Sequence, residues 1–176
     1  NLIWKIVLLF CLILVNAFFA MSEIAIISLN DVKLQKMAEE GNKKAKKVLA
    51  LVENPSSFLS TIQIGVTLAG FLTSASAAEN FSEPLANLIS GWLPNIPTSL
   101  ISGVSLVLVT IIISFFSLVL GELAPKRIAM QCGEKISFAV VGILLFIKSA
   151  MKPFIKLLSF STNLVVRIFG FDPNAS

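Results

Sequence analysis

Three stretches of this sequence stay apolar for as long as a bilayer is thick, and no other feature narrows the fold so much. The first runs from about Leu2 to Leu29, with Lys5 and Glu23 as its only charges. The second, about Phe58 to Ala78, and the third, about Leu100 to Leu120, carry no charge. A membrane-crossing helix needs about 20 apolar residues. Charged residues make up 14% of the chain, against about 25% in a soluble domain. The expected fold is an all-α integral membrane domain with three transmembrane helices, spans about 2–29, 58–78 and 100–120. Leu2 to Met21 is read as a retained helix, because no small-x-small cleavage site and soluble domain follow it.

The bases set the expected orientation. Lys33, Lys36, Lys43, Lys44, Lys46 and Lys47 follow the first span. Lys126, Arg127, Lys135, Lys148, Lys152, Lys156 and Arg167 follow the third. The segment between the second and third spans, Glu79 to Ser99, has none and carries Glu79 and Glu83. All but Lys5 of the 14 Lys and Arg residues thus fall on one side. That side is expected to be cytoplasmic, with the N-terminus outside and the C-terminus inside a plasma-membrane, multi-pass protein.

Between the spans, the polar Lys33–Lys47 stretch is either a cytoplasmic helical hairpin or a solvated connector. Asn54-Pro55-Ser56-Ser57 offers a cap and a first-turn proline to the second span. Pro84, Pro94 and Pro97 are expected to break regular structure in the outer segment. The apolar run Ile136–Ile147 is too short to cross alone. With Phe154–Phe171 it makes a pair of juxtamembrane belt helices, about 136–170, lying at the interface or bracing the spans. Residues 1–170 then form one domain, and Phe171-Asp172-Pro173-Asn174-Ala175-Ser176 (171–176) reads as the start of a linker.

Polar residues inside the spans are costly and worth reading as functional. Asn16, Ala20 and Glu23 share a face of the first span, with Ser22 beside them; Gln63, Thr67, Gly70 and Ser74 share one in the second. Thr110, Ser114, Ser117 and Gly121 do so in the third. Small residues also let membrane helices pack closely, so the hydroxyls singly say little. Glu23 and Glu122 say more, since a carboxylate at membrane depth needs a cation, a proton or a basic partner. Pro125 clashes with the Gly121 carbonyl and marks a helix break, leaving backbone carbonyls free as ligands. Such hard oxygens suit Mg²⁺ or Na⁺ rather than zinc or copper. The competing account of Glu122 is an interfacial salt bridge to Lys126 or Arg127.

Three motifs, Phe18–Met37 (FFAMSEIAIISLNDVKLQKM), Asn54–Ala77 (NPSSFLSTIQIGVTLAGFLTSASA) and Gly121–Ala129 (GELAPKRIA), resemble the transmembrane domain of the CorC/cyclin M (CNNM) magnesium transporters. Bacterial members of that family include proteins once labelled hemolysins. The resemblance implies a homodimer that exports Mg²⁺ against Na⁺ entry, with a juxtamembrane belt. It also implies a cytoplasmic CBS-domain pair following the linker, there to sense ATP and Mg²⁺. It places an ion site on Ser22 and Glu23, on Thr67 or Ser74, and on Gly121 and Glu122. The family's magnesium exporters tend to carry asparagines where Val66 and Gly70 stand here, so the site is rearranged or not magnesium-selective.

Other classes fare less well. No phosphate-binding glycine loop, zinc signature or nucleophile–base set marks an enzyme. There is no histidine, and Cys11 and Cys132 lack metal or disulfide spacing. A net charge of +4, without an aromatic-laced basic stripe, gives no sign of nucleic-acid binding. A pore-forming toxin is opposed by the retained spans and the lysine bias. A non-transporting scaffold or sensor, acting through cytoplasmic domains, remains the main alternative to transport.

Overall fold

A computed structural model describes residues 2–174; of the expected linker, Ala175 and Ser176 lie outside the described residues. Helix α1 spans Leu2–Ile27, α2 Asp31–Glu39, α3 Lys43–Val52, α4 Pro55–Trp92 and α5 Thr98–Leu118. A π-turn, Val119–Leu123, joins α5 to α6, Ala124–Gln131; α7 is Gly133–Ala150 and α8 Lys152–Ile168. Helix α1, helix α4 and the continuous rod Thr98–Gln131 are long and apolar enough to cross a membrane. Along α1 the buried positions Leu9, Ile13, Asn16, Ala17 and Ala20 recur every three to four residues. They form one inward stripe, while Ile3, Val7, Phe10 and Leu14 point outward. Gly65 of α4 meets α1 so closely that an added Cβ would lie 2.5 Å from the Phe19 ring.

Sequence expectation and structure part at α4. The second span was placed at 58–78 with an irregular segment beyond it, yet the helix runs for 38 residues, through Pro84. At 1.5 Å per residue that is about 57 Å. A proline inside a helix costs about 3 kcal/mol, and here packing carries the helix past it. Phe81 and Leu85, on either side of Pro84, pack against a cluster of Leu9, Ile13, Ala77 and Val109. Only the short segment 93–97, holding Pro94 and Pro97, is left irregular. The start of α4 matches the motif, with Asn54 Oδ1 accepting from the Ser57 N–H at 3.3 Å.

At the other end the lysine-rich stretch folds as a hairpin rather than a solvated connector. Asn30 Oδ1 accepts from the N–H groups of Val32 and Lys33 at the start of α2. Asn42 does the same for Ala45 in α3, and each cap contributes about 1 kcal/mol. Between them Gly41 takes φ +96°, a region other residues rarely enter. The lysines stay outside while Leu34, Ala38, Ala45, Val48 and Leu51 join a core with Phe19, Ile26, Phe58, Ile62, Val141 and Leu144. Helix α7 is thus a brace, held by Val141 and Leu144. It bends by 67° into α8, which buries only Ile155. Among the described residues the single ion pair, Lys33–Glu134 at 2.9 Å, ties the hairpin to α7.

Candidate cation cleft

The polar stripes of α4 and α5 face each other. Val66, Thr67, Gly70, Phe71 and Ser74 form one wall of a cleft of about 490 Å³, and Ser114, Ser117, Leu118 and Glu122 form the other. Glu122 is the one ionisable side chain in this lining. Gln63 Nε2 donates to Thr67 Oγ1 at 2.8 Å, which leaves the threonine its proton to donate and a lone pair to offer. The cleft therefore presents one carboxylate and four hydroxyls, a set of hard oxygens. Val66 and Gly70, which lack the side-chain oxygen of the family's asparagines, are both cleft residues. A Cβ on Gly70 would meet nothing within 4 Å.

The π-turn decides which residue reaches this cleft. An i→i+5 turn holds one residue more than an α turn. Every position after it is shifted round the axis accordingly. In an unbroken helix Gly121 would continue the stripe of Ser114 and Ser117; after the insertion, Glu122 takes that place. Gly121 is turned toward α1, buried, with its carbonyl accepting from Asn16 Nδ2 at 2.9 Å. The helix break expected at Pro125 is thus a widened turn within a continuous rod. The shift also accounts for Lys126: four residues on from Glu122 is no longer the next position above it, and the two form no ion pair. Asn16 lies near the middle of α1, eleven residues or about 16 Å from its Ile27 end. Glu122 is therefore level with the middle of α1, and nine residues from the Gln131 end of its own rod.

Not every residue singled out in the sequence joins the cleft. Thr67, Ser74 and Glu122 do. Ser22 is fully buried in α1 and donates to the Phe18 carbonyl at 2.7 Å. Glu23 is half-buried and outside the lining. The Gly121 carbonyl is engaged by Asn16, and Pro125 is buried in the first turn of α6. Ser114 and Ser117, absent from the set implied by family resemblance, are cleft residues, and their helical spacing in the sequence had marked them. Asn16, marked in the sequence by its spacing with Ala20 and Glu23, faces Gly121 instead of the cleft, and its Oδ1 has no hydrogen-bond partner in the described residues. A buried acceptor left so costs about 1–3 kcal/mol.

Comparison with known proteins places these features in a family. The model of the cyclin M transmembrane N-terminal domain matches residues 6–176. A UPF0053 protein of Synechocystis sp. is 39% identical over 164 residues, covering 92% of this chain and 36% of that protein. UPF0053 protein YugS of Bacillus subtilis is 31% identical, covering 97% of this chain and 39% of that protein. The polyamine export protein of Escherichia coli K12 is 30% identical, covering 94% and 36%. The chain thus spans little more than a third of the length of the curated relatives it matches.

Proposed function

The chain belongs to the cyclin M transmembrane N-terminal domain family, and on that premise we propose that it is the membrane part of a cation exporter whose cargo is Mg²⁺, driven by Na⁺ entry. The observation that carries this is Glu122: a carboxylate level with the middle of α1, in a cleft, with no basic partner among the described residues. Such a group calls for a cation. Mg²⁺ gives up its water reluctantly and is bound through one or two carboxylates. A cleft of about 490 Å³ has room for a partly hydrated ion. Glu122 ligates it, and Thr67, Ser74, Ser114 and Ser117 hold its water shell. The lysine distribution supports a cytoplasmic hairpin end. The relatives are longer than this chain, and family resemblance supports a cytoplasmic CBS pair after the linker and a homodimer. Na⁺ entering the same oxygens displaces Mg²⁺.

A second substrate is favoured by one feature. Val66, Phe71 and Leu118 add apolar surface to the cleft, on which the methylenes of a polyamine would lie with an ammonium on Glu122. The E. coli relative's name points the same way. Calorimetry on the purified domain separates these, titrating Mg²⁺, Mg²⁺ with Na⁺, and spermidine into the native chain and Glu122→Gln. The expected outcome is Mg²⁺ binding that Na⁺ competes away and that Glu122→Gln abolishes. Binding of spermidine without Mg²⁺ would transfer the site to organic cations. Binding of neither would put a non-transporting scaffold or sensor first.

A further inference from the structure

The Gly121 carbonyl, next to Glu122, is held by a residue that is not in the cleft lining. In an α-helix the Gly121 carbonyl would accept from the N–H four residues on, and that residue is Pro125, which has none. The carbonyl is buried in the wall facing α1, where an unpartnered acceptor is disfavoured. Asn16, 105 residues away and 2% exposed, supplies the missing donor through Nδ2 at 2.9 Å. Because the acceptor is a carbonyl, only the amide N–H end can face it. The fit leaves no slack, since a Cβ on Gly121 would sit 2.9 Å from Nδ2.

We propose that Asn16 is a positioning residue for the cation cleft: by holding the Gly121 carbonyl it fixes the π-turn, and the π-turn puts Glu122 rather than Gly121 in line with Ser114 and Ser117. This rests on the cleft being the cation site. The sequence sets up a dependency between distant residues. Pro125 removes a donor, Asn16 replaces it, and the register of the turn follows. Pro125 still bars the α register, so without the amide the Gly121 carbonyl loses its partner, the turn loosens and Glu122 no longer holds its direction toward the cleft. Asn16 Oδ1 has no partner among the described residues, so the hydrogen bond that the amide makes runs to Gly121.

The test reads side-chain direction without needing an ion. Cys11 and Cys132 are free and exposed, so both are first changed to serine. Glu122→Cys is then labelled with a small cationic methanethiosulfonate in the folded, solubilised chain. Adding Asn16→Leu, which keeps bulk but cannot donate, should slow labelling on the order of tenfold. Gly121→Ala, which pushes the amide away, should slow it likewise and serves if the leucine variant fails to fold. Adding Pro125→Ala to Asn16→Leu returns an N–H to Gly121. It should restore the melting temperature while labelling stays slow, because a regular helix also turns position 122 away. Unchanged labelling in Asn16→Leu and Gly121→Ala, or recovery of labelling together with stability, would overturn the proposal. Mg²⁺ titration of the native chain runs alongside: its failure would remove the transport reading, while the labelling still decides whether Asn16 sets the turn.

Discussion

The hairpin end of the molecule and the α4–α5 cleft are built in opposite ways. At the hairpin end, three asparagine caps, a left-handed glycine and eleven buried side chains close a core in which Leu51, Val48, Val141 and Leu144 are at most 2% exposed. Across the cleft, two helices carry hydroxyls toward each other and leave space between. The first region fixes the ends of the helices; the second lets their middles stay apart around a carboxylate. Stability and binding should therefore respond to different substitutions.

The largest effect should come from Leu144→Ala. It cuts a cavity in the hairpin core and should cost about 2–5 kcal/mol, lowering the melting temperature in detergent by roughly 5–15 °C. Mg²⁺ affinity of the fraction that stays folded should be unchanged; a parallel loss of affinity would break the separation. Gly65→Ala lies on the boundary between the two regions. It forces the Phe19 ring to move at about 1–3 kcal/mol, and it should weaken both stability and Mg²⁺ binding. Gly70→Asn adds an oxygen where there is open space, so melting should hold while Mg²⁺ binds several-fold more tightly by calorimetry. The smallest change is expected of Lys33→Gln, which removes an ion pair 62% and 43% exposed. Its cost should be under about 1 kcal/mol and vanish at high salt, marking the hairpin as held by apolar contacts.

Periodicity revealed what one helix decides by itself. The spans, the Asn54 cap and the stripes that became the cleft walls could all be read from spacing. Continuation of α4 through Pro84 could not, because it depends on Phe81 and Leu85 finding Leu9 and Ile13 in another helix. Nor could the exchange of Gly121 for Glu122. A helical wheel drawn at constant pitch puts Gly121 in the stripe, and only the inserted residue of the π-turn reverses that. Proline at 125 warned of a disturbance there without fixing its form, since the form depends on Asn16, 105 positions earlier. Ser22 lies outside the cleft lining, with its hydroxyl donating to the Phe18 carbonyl of its own helix, a local bond that spacing alone does not reveal.

The length of α4 has a mechanical meaning. The close approach of Gly65 to Phe19 divides the helix into a short arm of about 15 Å toward Pro55 and a long arm of about 40 Å toward Trp92. The contact is a fulcrum. Tilt about it moves the far tip by nearly three times the travel of the near end, in the opposite sense. The cleft wall from Thr67 to Ser74 lies on the long arm, and α3 leads within three residues into the short one. A rigid tilt of α4 there would therefore link movement of the lysine-rich hairpin to the distance between Ser74 and Ser114.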